Sequence, residues 1–169
     1  MERQFNFSAG PGTLPLEVLQ EAQDEMLVYR DAGASVIEIS HRSPQYTAVV
    51  DSARSLLREL LGIGDDWSIL FLQSGASLQF YQAPLNFLTG QTCADYVITG
   101  AWAKKAHKEA SMIGDARIAA SSADSNFSYI PDTSTWKVSE DAAYLHMTSN
   151  NTIYGTQIKG DPDVGVPLI

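Results

Sequence analysis

The spacing of apolar residues along this chain changes character near residue 68. Before that point helical periods dominate. Behind Pro15, a residue suited to the first turn of a helix, Val18, Leu19, Ala22, Met26 and Tyr29 recur at helical spacing, with Glu17 and Glu21 near the positive end and Gly33 past the last of them. The clearest stripe comes next: Tyr46, Val49, Val50, Ala53, Leu56, Leu57, Leu60 and Leu61 share one helical face, and Gly62 stops it. Between the two, Val36-Ile37-Glu38-Ile39 predicts a short extended segment. From Ser68 onward, short apolar runs alternate with helical stretches. Strands are expected at 68–72, 95–99, 116–120 and 142–147, with helices from the Ser74-Gly75-Ala76-Ser77 turn to about Leu88 and from Trp102 to Ile113. The polar tract 121–135 predicts a loop lying across the domain. Asp161-Pro162-Asp163-Val164-Gly165 reads as a turn, and Val166-Pro167-Leu168-Ile169 opens either a buried strand or an edge strand, since Pro167 is tolerated at an edge. Strands alternating with helices predict an α/β fold with a mostly parallel sheet.

Composition fits that picture. The 169 residues are 44% hydrophobic and 18% charged, as in a globular domain with a core. A net charge of −9 argues against nucleic acid or an anionic membrane surface as partner. With one cysteine, Cys93, no intrachain disulfide can form and no Cys/His zinc pattern exists, which suits a reducing, cytoplasmic setting. No apolar run approaches a membrane span or the core of a signal peptide.

Candidate chemistry gathers after the expected strands, where ligands collect in open α/β sheets. Gln73-Ser74-Gly75-Ala76-Ser77 joins a strand to a helix. Its small residues let backbone N–H groups converge on an anion, and Ser74 and Ser77 add hydroxyls. The same residues would also serve an ordinary tight turn. Gly100-Ala101-Trp102 follows the next strand and offers an indole that can stack on a planar ligand or pack in a core. Asn150-Asn151-Thr152-Ile153-Tyr154-Gly155 follows the last, and Thr152 or an Asn amide can give a polar contact where a plain turn is the alternative. Arg42, in Ser40-His41-Arg42, can grip a carboxylate with two parallel hydrogen bonds or form a surface ion pair. His107 lies among Lys104, Lys105 and Lys108 and is expected to be solvated; His146 is expected to be structural. A cup for phosphate, a flat ring and a small polar group after three strands suit a planar, phosphorylated cofactor.

These residues resemble the phosphoserine aminotransferase family, within the fold-type-I pyridoxal-phosphate enzymes. The likeness begins at Phe5-Asn6-Phe7-Ser8-Ala9-Gly10-Pro11 and continues through Ser35-Val36-Ile37-Glu38-Ile39-Ser40-His41-Arg42-Ser43. It runs on through Leu70-Phe71-Leu72-Gln73-Ser74-Gly75-Ala76-Ser77 and Ala94-Asp95-Tyr96-Val97-Ile98-Thr99-Gly100-Ala101-Trp102, to Asn151-Thr152-Ile153-Tyr154-Gly155. The resemblance implies transfer of an amino group between glutamate and a phosphorylated 2-oxo acid to make phosphoserine, with pyridoxal phosphate as cofactor and a cytoplasmic homodimer as the working form. It implies that Ala76 and Ser77 bind the cofactor phosphate, Trp102 stacks on the pyridine, Thr152 contacts the cofactor and Arg42 binds the substrate carboxylate. Ser74 stands where the family often has glycine, a change that is harmless unless the backbone there needs positive φ.

The resemblance also implies an arm over residues 1–15 and an incomplete, three-layer large domain over 16–169. The family's aspartate at the pyridine nitrogen, its Schiff-base lysine and its small C-terminal domain all fall beyond Ile169. On that reading no catalytic lysine is among these residues, and the 169 residues alone are expected to be inactive. A non-catalytic, self-associating α/β fragment remains an alternative at this stage, as does another fold-type-I enzyme such as an alanine–glyoxylate aminotransferase or a cysteine desulfurase.

Overall fold

The computed structural model describes residues 3–90 and 92–169, so the first two residues of the expected arm lie outside the described residues. The chain forms two compact units, one ending at Leu72 and the other beginning at Gln73.

In the first unit, α1 (Leu16–Asp24) starts behind Pro15, which takes the cap position at φ −54°. Met26 and Tyr29 lie past its end, so the helix is shorter than the apolar spacing predicts. The backbone folds on itself instead. The Tyr29 N–H donates to the Ala34 carbonyl and the Ala32 N–H to the Tyr29 carbonyl, both at 2.9 Å, with Arg30 at φ 48° and Gly33 at φ 68°. Tyr29 is buried from this loop.

The extended segment expected at 36–39 is a turn. The Glu38 and Ile39 N–H groups donate to the Ser35 carbonyl at 2.9 and 3.3 Å, and the Glu38 carboxylate accepts from the Ser35 N–H at 3.0 Å. Local bonds thus use the groups a strand would offer a neighbour. α2 (Pro44–Leu61) matches expectation at both ends. The Ser43 hydroxyl accepts from the Tyr46 N–H at 3.2 Å, Pro44 opens the first turn, and Gly62 closes the helix in the left-handed region at φ 63°, ψ 31°. The Arg58 guanidinium then holds the next loop through the carbonyls of Gly64 and Trp67.

The buried strand expected at 68–72 is irregular, with Leu70, Phe71 and Leu72 all exposed. A strand is held by its neighbours, and none of the described strands pairs with this run.

The second unit is built on a parallel sheet in the order β2-β1-β3, where β1 is Cys93–Ile98, β2 Asp115–Ser121 and β3 Ala142–His146. All three were legible as apolar runs. Residues 166–169 extend the sheet beside β3. Leu168 bridges Leu145 in parallel, the Leu145 N–H donates to the Pro167 carbonyl at 2.8 Å, and the Ile169 N–H donates to the Leu145 carbonyl at 2.9 Å. Every residue of β1 is buried, as befits a central parallel strand covered on both faces.

On one face Ala94, Tyr96 and Ile98 pack with Tyr144, Phe127, Leu88 and the alanines of α4 (Ala101–Ser111). Ala103, Ala106 and Ala110 have almost no exposed surface, and their small side chains let α4 lie close against the sheet. α3 (Gln79–Phe87) covers the rest of this face through Phe80. On the other face Val97, Ala119 and Leu145 meet Trp136 and Ile158, which arrive from irregular segments. The 121–135 tract is the expected loop, with short turns at Ala123–Ser125 and Thr133–Thr135. A small antiparallel ribbon, β4 (Asn150–Asn151) with β5 (Thr156–Gln157), follows β3.

Candidate functional site

Three loops of the second unit are linked by side-chain contacts: those after β1 and β3 through Asn151 and Thr99, and the one at Gln73–Ser77 through Lys105 of α4. The first begins at Gln73 and enters a single 3-10 turn, Ala76–Leu78, that runs directly into α3. Ser74 adopts φ 76° there, the left-handed region that L-residues avoid. The Leu78 N–H is used by the Gly75 carbonyl at 3.0 Å. The N–H groups of Ala76 and Ser77 make no backbone hydrogen bond among the described residues. They are the free donors expected at the start of a helix, and both residues are exposed.

The second loop is Thr99-Gly100, between β1 and α4. Gly100 is extended, and its requirement is space: a Cβ here would sit 2.6 Å from the Asn151 Oδ1 and 3.2 Å from the Tyr154 ring. The third loop, after β3, is pinned at the same point. Asn151 is buried, and its Nδ2 donates to Thr99 Oγ1 at 3.1 Å. The N–H groups of Tyr154 and Gly155 both return to the Asn151 carbonyl, at 3.1 and 2.8 Å.

These contacts relate the expected site residues to one another. Thr152 directly follows the pinned Asn151, is exposed, and therefore stands beside the Gly100 turn that launches α4. Trp102 is the second residue of α4 and keeps 42% of its surface exposed. One turn on, the Lys105 ammonium donates to the Ser77 hydroxyl at 3.1 Å, which joins α4 to the first loop. Ala76, Ser77, Trp102 and Thr152 thus belong to one connected set of loops. Arg42 belongs to the first unit, where it is exposed in the turn before α2 and its N–H donates to the Ser40 hydroxyl at 3.2 Å.

Three residues matter more than their sequence context suggested. Lys105 and Asn151 link segments that are distant in the chain; Lys105 carried no motif signal, and the motif that holds Asn151 pointed to a ligand contact or a turn, not to a tie with Thr99. His107 is not simply solvated: its Nε2 lies 3.2 Å from the Ala116 carbonyl, and its ring meets the Tyr96 ring edge-on at 5.5 Å. His146 is structural, as expected. It stacks on Tyr96 with ring centres 5.0 Å apart, its Nδ1 has no hydrogen-bond partner among the described residues, and burial pulls its pKa down to about 4. Beside it the Tyr96 and Tyr144 hydroxyls share a 2.6 Å hydrogen bond, and burial pushes both phenols above their ordinary range. No group of acidic, His or Cys side chains among the described residues could hold a metal ion.

The match to known proteins is extensive. The class-V aminotransferase family model matches residues 4–165. The phosphoserine aminotransferase of Bacillus subtilis (strain 168) is 53% identical over 169 residues, all of this chain and 47% of that protein. The one from Listeria innocua serovar 6a is 53% identical over 171 residues, again all of this chain and 46% of that protein. Among solved structures, the phosphoserine aminotransferase from Bacillus circulans subsp. alkalophilus superposes with a TM-score of 0.92 at 50% identity, covering 99% of this chain and 47% of that one. A PLP-bound phosphoserine aminotransferase from Trichomonas vaginalis gives 0.90 at 42% identity, covering 98% and 50%. The chain therefore spans about half the length of the relatives it matches. Strand order, helix placement and the family match across residues 4–165 agree, and the chain belongs to the class-V aminotransferases.

Proposed function

We propose that the protein is a phosphoserine aminotransferase, moving an amino group between phosphoserine and 2-oxoglutarate with pyridoxal phosphate. The observation that carries this reading is identity of about half the residues, across the whole chain, to enzymes of that name.

The loops have the chemistry such a cofactor needs. Two free N–H groups at the start of a helix suit a phosphate dianion, and those of Ala76 and Ser77 are unused by the backbone. Trp102, partly exposed, offers an indole to stack on the pyridine, and Thr152, exposed, a hydroxyl for its polar rim. When bound, the cofactor supplies the electron sink for breaking a bond at the substrate's α-carbon. In this reading the protein's part is to hold and orient. Ala76 and Ser77 fix the phosphate end, Trp102 fixes the plane of the ring, and Thr152 sets its rotation within that plane. Arg42 grips the substrate carboxylate with a two-pronged contact. Gly100 and Asn151 keep the Trp102 and Thr152 loops in register.

The proposal includes a homodimer, a cytoplasmic location and an assignment of residues 16–169 to one large cofactor-binding domain. No helix among the described residues is long and apolar enough to cross a membrane. The direct test is amino transfer from phosphoserine to 2-oxoglutarate, assayed beside alanine–glyoxylate transfer and desulfuration of cysteine. Turnover with phosphoserine alone is expected of a chain that also carries the family's Schiff-base lysine, and none from residues 1–169 by themselves; turnover confined to either of the other reactions would overturn the assignment. Sedimentation tests the dimer.

A further inference from the structure

Three of the chain's five lysines, Lys104, Lys105 and Lys108, lie on α4 of a protein whose net charge is −9. One of them does something specific. The Lys105 ammonium donates to Ser77 Oγ at 3.1 Å. A hydroxyl that accepts from an ammonium still has its own proton to give, and the ammonium has further N–H donors to spare. The Ser77 N–H is also unused by the backbone. Three kinds of donor, one of them charged, therefore meet at the Ser77 end of the loop.

The charge lacks an internal answer. The ion pairs among the described residues all belong to arginines: Arg30 with Glu25, Arg54 with Asp51, Arg58 with Asp65 and Arg117 with Asp115. Lys105 has a neutral hydroxyl as its partner. It also follows Trp102 by three residues, so the two side chains leave α4 on the same side. A ligand lying on the Trp102 ring would therefore share that side of α4 with this ammonium.

Resting on the phosphate reading of the loop, we propose that Lys105 binds the dianion of a phosphate monoester at the Ser77 end of the loop, with the Ser77 hydroxyl donating between them. The monoester is the cofactor's or the substrate's, and the two are separable by experiment.

The test compares equilibrium binding within two pairs of probes, pyridoxal phosphate against pyridoxal and O-phosphoserine against serine, for the wild type, Lys105→Gln and Lys105→Arg. Lys105→Gln is expected to weaken the phosphorylated member of one pair about tenfold, as loss of one charge-assisted contact implies, and to leave the unphosphorylated member unchanged. Lys105→Arg should keep most of the affinity. The pair in which the loss appears identifies the phosphate. The bound phosphate's ³¹P resonance should titrate at higher pH in Lys105→Gln than in the wild type, a change that a merely structural lysine would not cause. If Lys105→Gln leaves both pairs and the ³¹P titration unaltered while the wild type prefers phosphorylated ligands, Lys105 has no such role. If the wild type shows no preference for phosphate in either pair, the phosphate reading of the loop itself falls, and this proposal with it.

Discussion

Asn151 and Thr99 form a buried pair that ties the loop after β3 to the loop after β1: the Asn151 Nδ2 donates to Thr99 Oγ1 at 3.1 Å, and the Thr99 hydroxyl lies 3.4 Å from the Asn151 Oδ1. Both residues are essentially without exposed surface. The pair sets where Thr152 stands relative to the start of α4. Truncating one partner leaves the other buried with its bond unmade, which costs about 1–3 kcal/mol. Asn151→Ala is therefore expected to lower unfolding free energy by that amount in urea titrations. It should also weaken pyridoxal phosphate binding, because Thr152 loses its anchor.

Gly100 tests the same junction from the other side. A methyl group placed there would collide with the Asn151 amide oxygen at 2.6 Å, inside any real contact distance. Gly100→Ala is expected to cost about 1–3 kcal/mol through overpacking. In the Asn151→Ala background the same substitution should cost less, and a double-mutant cycle in thermal unfolding reads that coupling.

Ser74 occupies a backbone conformation that favours glycine, at φ 76°. An L-residue in the left-handed region is strained by about 1 kcal/mol or more. Ser74→Gly is therefore expected to raise stability by roughly 1 kcal/mol, less whatever chain entropy the glycine adds to the unfolded state. The gain should appear as a higher unfolding midpoint with an unchanged denaturant slope.

His146 links stability to pH. Its pKa falls from 6.5 to about 4 in the folded state because burial penalises the imidazolium. Above pH 6.5 neither state is protonated at this site, and it contributes nothing. Below pH 6.5 the unfolded chain takes up the proton first, so stability drops as pH falls from 6.5 towards 4, and the loss levels off once the folded state is protonated too. The full effect is on the order of 3 kcal/mol. Urea unfolding of wild type and His146→Phe between pH 4 and 7 should show the wild type losing stability more steeply; parallel curves would count against it.

The second unit was legible in the sequence because each of its strands is a short apolar run ended by a polar residue or glycine, and because Ala103, Ala106 and Ala110 repeat at helical spacing. Pattern misled where the outcome depends on a neighbour. Residues 36–39 look extended, yet Ser35 and Glu38 capture the backbone locally. Residues 68–72 have the composition of a strand without a partner strand among the described residues. In the site, Ser77, Trp102 and Thr152 stood out by their position after strands. Asn151 stood in the same motif as Thr152, but its tie to Thr99 was not readable, and Lys105 carried no signal at all, because these contacts span 52 and 28 positions of the chain. Periodicity within a short window carries no information about such pairs.

The central place of β1 has a consequence for how the chain reaches this structure. β1 pairs with β2 across a single helical crossover, but its other neighbour, β3, lies much further along, with Tyr96 and Tyr144 meeting across 48 positions. The shorter loop closes at lower entropic cost. A β1–α4–β2 nucleus should therefore assemble before β3 docks. Substitutions at Ala106 would then slow folding, while Tyr144→Phe would chiefly speed unfolding, and stopped-flow measurements on the two variants would reveal that order.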